Sequence, residues 1–282
     1  MNYVTLTATV IEDPAEVKDR DISYMSLYIE IAPPEYGTYV PTQLELKIWG
    51  NAQNQIISKT QNPKTGQKET KLLITKGNKI LIENAELFFT YNKETKIQGK
   101  YLKGSRGTHI TAIPQHFPDS NTIILSGLCM NDLGEKDFIS TAKGFMSVKQ
   151  RLAVFNKLPE PTFYTFKANH NSGNKYGINY AQLVFDHLNK KNTWATIHGY
   201  IVTESWTDKT TQEQRESTLI ILADRGAVTL NGKLKDFSKR NVNQPERKTF
   251  QSVSKDETSP SPDPEWSIAP QPATTQPADK PF

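Results

Sequence analysis

At 282 residues, with 36% hydrophobic and 23% charged residues, the chain has room for two ordinary domains but is too polar to pack throughout. No apolar run approaches about 18 residues, which excludes a membrane-spanning helix, and a single cysteine, Cys129, excludes an internal disulfide and fits a reducing, cytoplasmic setting. The net charge of +4 is uneven: residues 256–282 carry five acids against one base, which leaves +8 on residues 1–255, a basic body suited to a polyanion.

The opening MNYVTLTATV has no basic stretch before an apolar core, so it is not expected to act as a secretory signal. Instead Val4, Leu6, Ala8 and Val10 alternate with Tyr3, Thr5, Thr7 and Thr9, the period of a half-buried strand. Leu27, Ile29 and Ile31 alternate with Ser26, Tyr28 and Glu30. Leu44, Leu46 and Ile48 alternate with Gln43, Glu45, Lys47 and Trp49. The segment 50–61 is expected to hold a short helix and 62–70 a loop, from its Pro and Gly. Strand follows over 79–92, then turns around Gly99 and Gly104, and the stretch 108–113 closes the unit.

After a Pro-containing linker at 114–120 the pattern runs again. Strands are expected at 121–130, 163–168, 180–188, 194–206 and 217–224; the region 131–160 has no counterpart and stays open. KGNKILIENAELFFTY from Lys76 aligns without gaps on KNTWATIHGYIVTESW from Lys191, with Ile82 over Ile197 and Tyr91 over Trp206. This points to a duplicated all-β unit of about 110 residues. From Asn241 onward lie eight of the 17 prolines, with Ser, Thr and Gln and almost no apolar run; such a segment cannot offset its ordering entropy. The expected organisation is therefore one barrel over 1–113, a linker over 114–120, a second barrel over 121–235 and a disordered tail over 236–282.

Several motifs resemble the bacterial single-stranded DNA-binding protein (SSB) family, in its form with two OB domains per chain. In the first unit these are TLTATVIEDPAEV, then LELKIWGN with its Trp49-Gly50 pair, then LLITKGNKILIEN followed by Tyr91. In the second they are NTIILSGLCMND and the hairpin YIVTESWTDKTTQEQ, where the family's stacking tryptophan falls on Trp206 and Phe185 falls where Trp49 does. Departures are plain: a further stacking aromatic of the family would fall near Gln43 and Asn179, Asp186 replaces a glycine, and the tail tip ADKPF keeps only Asp279 of an acidic cluster.

The resemblance implies an all-β fold of two tandem OB-fold five-stranded barrels. It implies sequence-independent binding of single-stranded DNA in replication, recombination or repair, in the cytoplasm at the nucleoid. It also implies a homodimer that gathers four barrels, and a tail that recruits replication and repair proteins through Asp279, Pro281 and Phe282. The residues fit that chemistry. Unpaired bases stack on aromatics set on a strand's polar face, which selects Trp49 and Tyr28, and on rings beside polar hairpin tips, which adds Tyr91 and Trp206; the resemblance adds Phe185, whose face also carries Ala181 and Leu183. Phosphates take ammonium groups, for which Lys47, Lys76, Lys79, Lys93, Lys191 and Lys209 are the candidates, with Lys96, Lys100, Lys103, Arg106 and Lys190 behind them. No phosphate-cradling loop, nucleophile elbow or paired-cysteine metal spacing occurs, and the five histidines are scattered, so no enzyme, cofactor or metal is expected. Two other readings stand beside this one: a protein–protein adaptor of a replication or conjugation complex with weak or no DNA binding, and an RNA-binding OB protein.

Overall fold

Alternation of apolar and polar residues builds ten barrel strands. In the computed structural model they are, in chain order, β1 (Asn2–Val10), β2 (Ile22–Ile31), β3 (Thr42–Ile48), β4 (Lys79–Tyr91), β5 (Gln98–Gly104), β6 (Asn121–Cys129), β7 (Phe145–Val154), β8 (Thr162–Asn171), β9 (Thr193–Thr207) and β10 (Gln214–Leu222). The structure describes residues 1–233 except 20, 36–37, 62–67, 92–97, 143, 157–159, 172–178 and 224–226, and at 68, 91, 98, 171 and 230–233 it describes the backbone alone. The expected tail, with Asp279, Pro281 and Phe282, and the hairpin tip with Lys93 and Lys96, lie outside the described residues.

The first five strands close on themselves in the order β1–β2–β3–β5–β4–β1, every pair antiparallel except β3 and β5. The next five repeat the circuit as β6–β7–β8–β10–β9–β6, with β8 and β10 the parallel pair. Inward positions are apolar and fully covered nearly throughout: Leu6, Leu27, Ile29, Leu46, Ile82 and Leu102 in the first barrel, Leu125, Leu152, Phe166, Ile197 and Ile220 in the second. Each such side chain contributes about 1.5–3 kcal/mol on burial, enough to fix which face of every strand points in. The outward faces are thereby left free for other chemistry.

One short helix plugs each barrel between its third and fourth strands. In the first it is a 3-10 helix, Gly50–Gln55, whose Ala52 is buried. Gln55 anchors it, donating to the Thr108 carbonyl at 2.9 Å and accepting from the Ile110 N–H at 2.5 Å. The rest of the segment read as helix is strand Ile57–Gln61, which pairs with Lys68–Leu72. In the second barrel the plug is α1 (Tyr180–His187), where the sequence suggests a strand. Tyr180, Ala181, Val184 and Leu188 are buried, a helical period, and the Asn179 side chain caps the first turn by accepting from the Gln182 N–H at 2.9 Å. Asn179→Ala is expected to lower stability by about 1 kcal/mol, read as a melting temperature about 2–4 °C lower for a unit of this size.

Two further corrections concern strands. Residues 98–104, read as turns, form β5. The open region contains β7, preceded by the short strand Phe138–Ser140 that pairs with it. Strand His109–Ile113 pairs along β4 and extends the first barrel.

The barrels are fused into one compact unit, Met1–Asp236. β1 and β6 pair antiparallel across the junction, Asn2 against Leu125 through Leu6 against Asn121. Asn2 is buried there; its amide donates to the Leu87 carbonyl at 2.6 Å and to the Tyr164 hydroxyl at 2.9 Å, and Tyr164 also donates to that carbonyl. Burial pushes the Tyr164 hydroxyl pKa well up. On the other side a chain of hydroxyls links Thr42, Thr203 and Thr218 at 2.9 Å each, and the Lys100 ammonium donates to Thr218 at 2.8 Å. Every polar group named at this seam has a partner, which makes the joint specific rather than merely sticky.

Candidate nucleic-acid interface

The outward face of β2, β3, β5 and β4 carries interleaved rings and cations. Strand pairing sets them in rows. Met25 faces Ile48 at the end of the β2–β3 ladder, which puts Tyr24 beside Trp49 one step further on. In the next outward row Ser26 faces Lys47, and Lys47 faces Lys103. In the row after that Tyr28 faces Glu45, Glu45 faces Tyr101, and Tyr101 faces Phe88. Side chains two apart on one strand share a face, so Trp49, Lys47, Glu45 and Gln43 all point outward.

The rings and ammonium groups touch. Tyr24 and Trp49 have centroids 5.1 Å apart, and Phe88 stacks on Tyr101 at 5.3 Å. Lys47 lies 5.2 Å over the Tyr24 ring and 4.9 Å over Tyr101, while Lys103 lies 5.7 Å over Trp49. Glu45 holds Lys47 at 3.4 Å and accepts from Ser26 at 2.7 Å. Burial opposes the charge on Lys47, but the Glu45 carboxylate and the Tyr24 phenol outweigh it and lift its pKa above the usual lysine value. Lys47 therefore stays a cation. Tyr24 and Phe88 are buried, Trp49 and Tyr101 half-buried, and Tyr28 is 44% exposed. Half-buried rings braced from behind lose little freedom when a second flat group lands on them.

The other expected residues are dispersed. Trp206 is 45% exposed near the tip of the β9–β10 hairpin, where its pairing partner Arg215 holds Asp208 at 3.1 Å. Lys76, Lys191 and Lys209 are exposed on turns. Lys79 is taken up by the linker instead: its ammonium donates to the carbonyls of Gln115 and Phe117 and pairs with Asp119 at 2.8 Å. Lys100 is consumed at the barrel joint. Phe185 lies on α1, not on a sheet, and packs against Phe138 at 4.9 Å as part of the second core. The Tyr91 side chain and Lys93 lie outside the described residues.

Pairing also corrects the internal repeat. Leu6 pairs with Ile82 and Leu125 with Ile197, so the gap-free alignment holds there. A bulge then shifts β4 against β1, with Asn84 at φ 58°, whereas β9 runs unbroken against β6. Beyond it Ala85 matches Gly199, and Tyr91 matches Ser205 rather than Trp206. The third strands need correction too. Val10, Ile29 and Leu44 pair in succession, as do Cys129, Leu152 and Tyr164. Tyr164 is thus the counterpart of Leu44, so Phe163 occupies the position of Gln43, and Asn169 that of Trp49.

Sequence reasoning misses Phe163 because it lays α1 on β3. Phe163 is 37% exposed, and the Arg151 guanidinium lies 4.6 Å over its ring. The correct signal is FYTFKA laid directly on QLELKI. Tyr101 escapes because two glycines make its strand look like turns. On the rest of the second barrel's outward face, Val202, Leu219 and Ile221 stand where Phe88, Tyr101 and Lys103 stand on the first. They are buried against Tyr39 and Tyr200, and Tyr39–Val40 pairs with Thr203 and Glu204. That half of the second face is closed.

Comparison with known proteins follows this topology. No protein-family model and no curated protein sequence matches the chain. Among solved structures, the wild-type single-stranded DNA binding protein from Thermus aquaticus superposes with a TM-score of 0.55 at 17% identity, covering 83% of this chain and 95% of that one. A deletion variant of the same protein gives 0.54 at 18% identity, over 84% and 96%. Both barrels are OB-folds. A likeness at this identity is one of fold. Among the described residues no helix is long and apolar enough to cross a membrane, and no group of three or more His, Cys, Asp or Glu is placed to hold a metal.

Proposed function

We propose that this chain binds single-stranded DNA without regard to sequence, and so shields it during replication, recombination or repair. The observation that carries the reading is the outward face of the first barrel, where Trp49, Tyr101 and Tyr28 are interleaved with Lys47 and Lys103. Rings offer a surface to any base, and the ammonium groups between them meet the phosphates that follow it. The basic body of +8 supports the same partner. So does the shared fold with proteins that are single-stranded DNA binding proteins by name. Arg151 and Phe163 give the second barrel a smaller platform of the same kind. Two chains associate as a homodimer, which brings four barrels to one strand. The Pro-rich tail, with Asp279, Pro281 and Phe282, recruits replication and repair proteins.

Fluorescence titration with oligo-dT, oligo-rU and duplex DNA at two salt concentrations, with solution mass measured alongside, tests this. Oligo-dT is expected to quench tryptophan emission and to bind well above duplex. Its affinity is expected to fall with salt at a log–log slope of about −0.7 per phosphate contact. Equal affinity for duplex and single strand sinks the reading; preference for oligo-rU turns it into an RNA reading; no binding at low salt leaves the adaptor.

A further inference from the structure

We propose that Lys149 and Lys167 form a phosphate site on the second barrel, which Glu204 occupies in the free protein. The proposal rests on the single-strand reading and adds a site to it. Lys167 stands on β8 where Lys47 stands on β3, by the same pairing that matches Phe163 with Gln43. Lys149 faces it directly across β7 and β8. Like charges set opposite one another destabilise a sheet, so such a pair needs an anion between its members. Glu204 supplies it: one carboxylate oxygen lies 2.5 Å from the Lys167 ammonium and the other 3.1 Å from that of Lys149. Burial disfavours the Glu204 carboxylate, but the two lysine hydrogen bonds overcome this and hold its pKa below the usual glutamate value. The cluster is therefore two cations on one anion, net positive.

A phosphodiester makes the same charge-assisted hydrogen bonds as a carboxylate and carries the same single charge. The place is open to one, since the Lys149 side chain is 53% exposed. Arg151, the next outward residue along β7, already lies over the exposed Phe163 ring, so its row stands between the aromatic platform and the cation pair. Among the described residues the other groups facing Glu204 are neutral: the Tyr39 hydroxyl, and Asn169 beyond it, whose amide oxygen accepts from Ser147 at 2.8 Å. The Glu204 backbone is fixed between Ser217 and Tyr39 in the ladder. Release of the lysines requires rotation of one side chain and no movement of a strand.

The test is oligo-dT binding by the full chain carrying Glu204→Gln, over a tenfold range of salt. Freeing one or two lysines steepens the log–log salt slope by about 0.7 to 1.4, which is about 5- to 25-fold more affinity gained per tenfold drop in salt. Glu135→Gln, the same charge change at an exposed residue of the second barrel that pairs with neither lysine, is expected to leave the slope unchanged. Lys149→Gln added to Glu204→Gln removes one of the two cations and is expected to lower the gain in slope by about 0.7. Glu204→Ser repeats the measurement should the glutamine lower the melting temperature. A slope for the Glu204 variants no steeper than that of Glu135→Gln, in a wild type that binds oligo-dT, overturns the site alone. A wild type that fails to bind oligo-dT overturns the single-strand reading and this site with it.

Discussion

Trp49→Ala is expected to weaken oligo-dT binding by about 5- to 150-fold, the equivalent of about 1–3 kcal/mol for one lost stacking platform. The ring stands at the end of β3 on the outward face, braced by Tyr24 at 5.1 Å and topped by Lys103 at 5.7 Å. Truncation removes the platform and one wall of the site that holds the lysine. Tyr101→Ala, one strand over, is expected to act in the same direction and to combine less than additively, because Lys47 lies over Tyr101 and Tyr24 together. Trp49→Phe keeps a flat face and is expected to recover most of the loss. Trp206→Ala should cost less than Trp49→Ala, since Trp206 sits by a hairpin tip with no ring contact of its own among the described residues. Fluorescence anisotropy with labelled oligo-dT reads all four variants, and their thermal melts separate lost binding from lost folding. Wild-type affinity in Trp49→Ala would remove the first barrel's face as the binding surface.

Gly127→Ala is expected to destabilise the fold by about 3 kcal/mol, at the upper end of the range for overpacking, and to lower the melting temperature by about 6–12 °C. Gly127 lies on β6 between β7 and β9, and a Cβ there would stand 2.2 Å from the Ala153 carbonyl oxygen. That atom is backbone and cannot rotate aside, so the β6–β7 pair has to open. Gly199 is held in the same way, with the Ile221 carbonyl oxygen 2.3 Å from the point a Cβ would occupy, and is expected to respond alike. Gly134, where the nearest atom to such a carbon is 3.9 Å away, is the control that tolerates alanine. Differential scanning calorimetry distinguishes the three. A Gly127→Ala melt within about 2 °C of wild type would mean that the two strands are not this close.

Legibility follows the regularity of the alternation. β1, β2 and β3 are plain because each puts apolar residues inward without exception over most of its length, and that pattern alone sets Trp49, Lys47 and Tyr28 outward. β7 is hidden because Gln150 takes an inward position; it is buried, with its amide nitrogen donating to the carbonyls of Asn131 at 3.0 Å and Leu188 at 2.8 Å. A polar residue satisfied by loop backbone breaks the period of two without breaking the strand. α1 misleads for the opposite reason. Ala181, Leu183 and Phe185 alternate by chance over a stretch whose buried set follows a helical period, and a segment of eight residues is too short for the two periods to separate cleanly.

The repeat illustrates the same limit. One inserted residue at Asn84 leaves the sequences alignable by eye but rotates every side chain after it onto the other face. The cations divide in the same way. Lys47 and Lys79 look alike as residues of polar strands, yet Lys47 lies among rings and Lys79 is bound by three groups of the linker.

By itself the sequence determined the all-β class, the doubling, the outward setting of Trp49 and the basic body, because each depends on local period or on summed charge. Only the tertiary structure decided that Tyr101 and Lys103 join Trp49, that Phe163 and Arg151 meet, that Tyr39 covers half of the second face, and that Glu204 bridges two lysines. Those arrangements come from pairings between strands distant in the chain, and the closing of each barrel fixes a register that no stretch of neighbouring residues encodes.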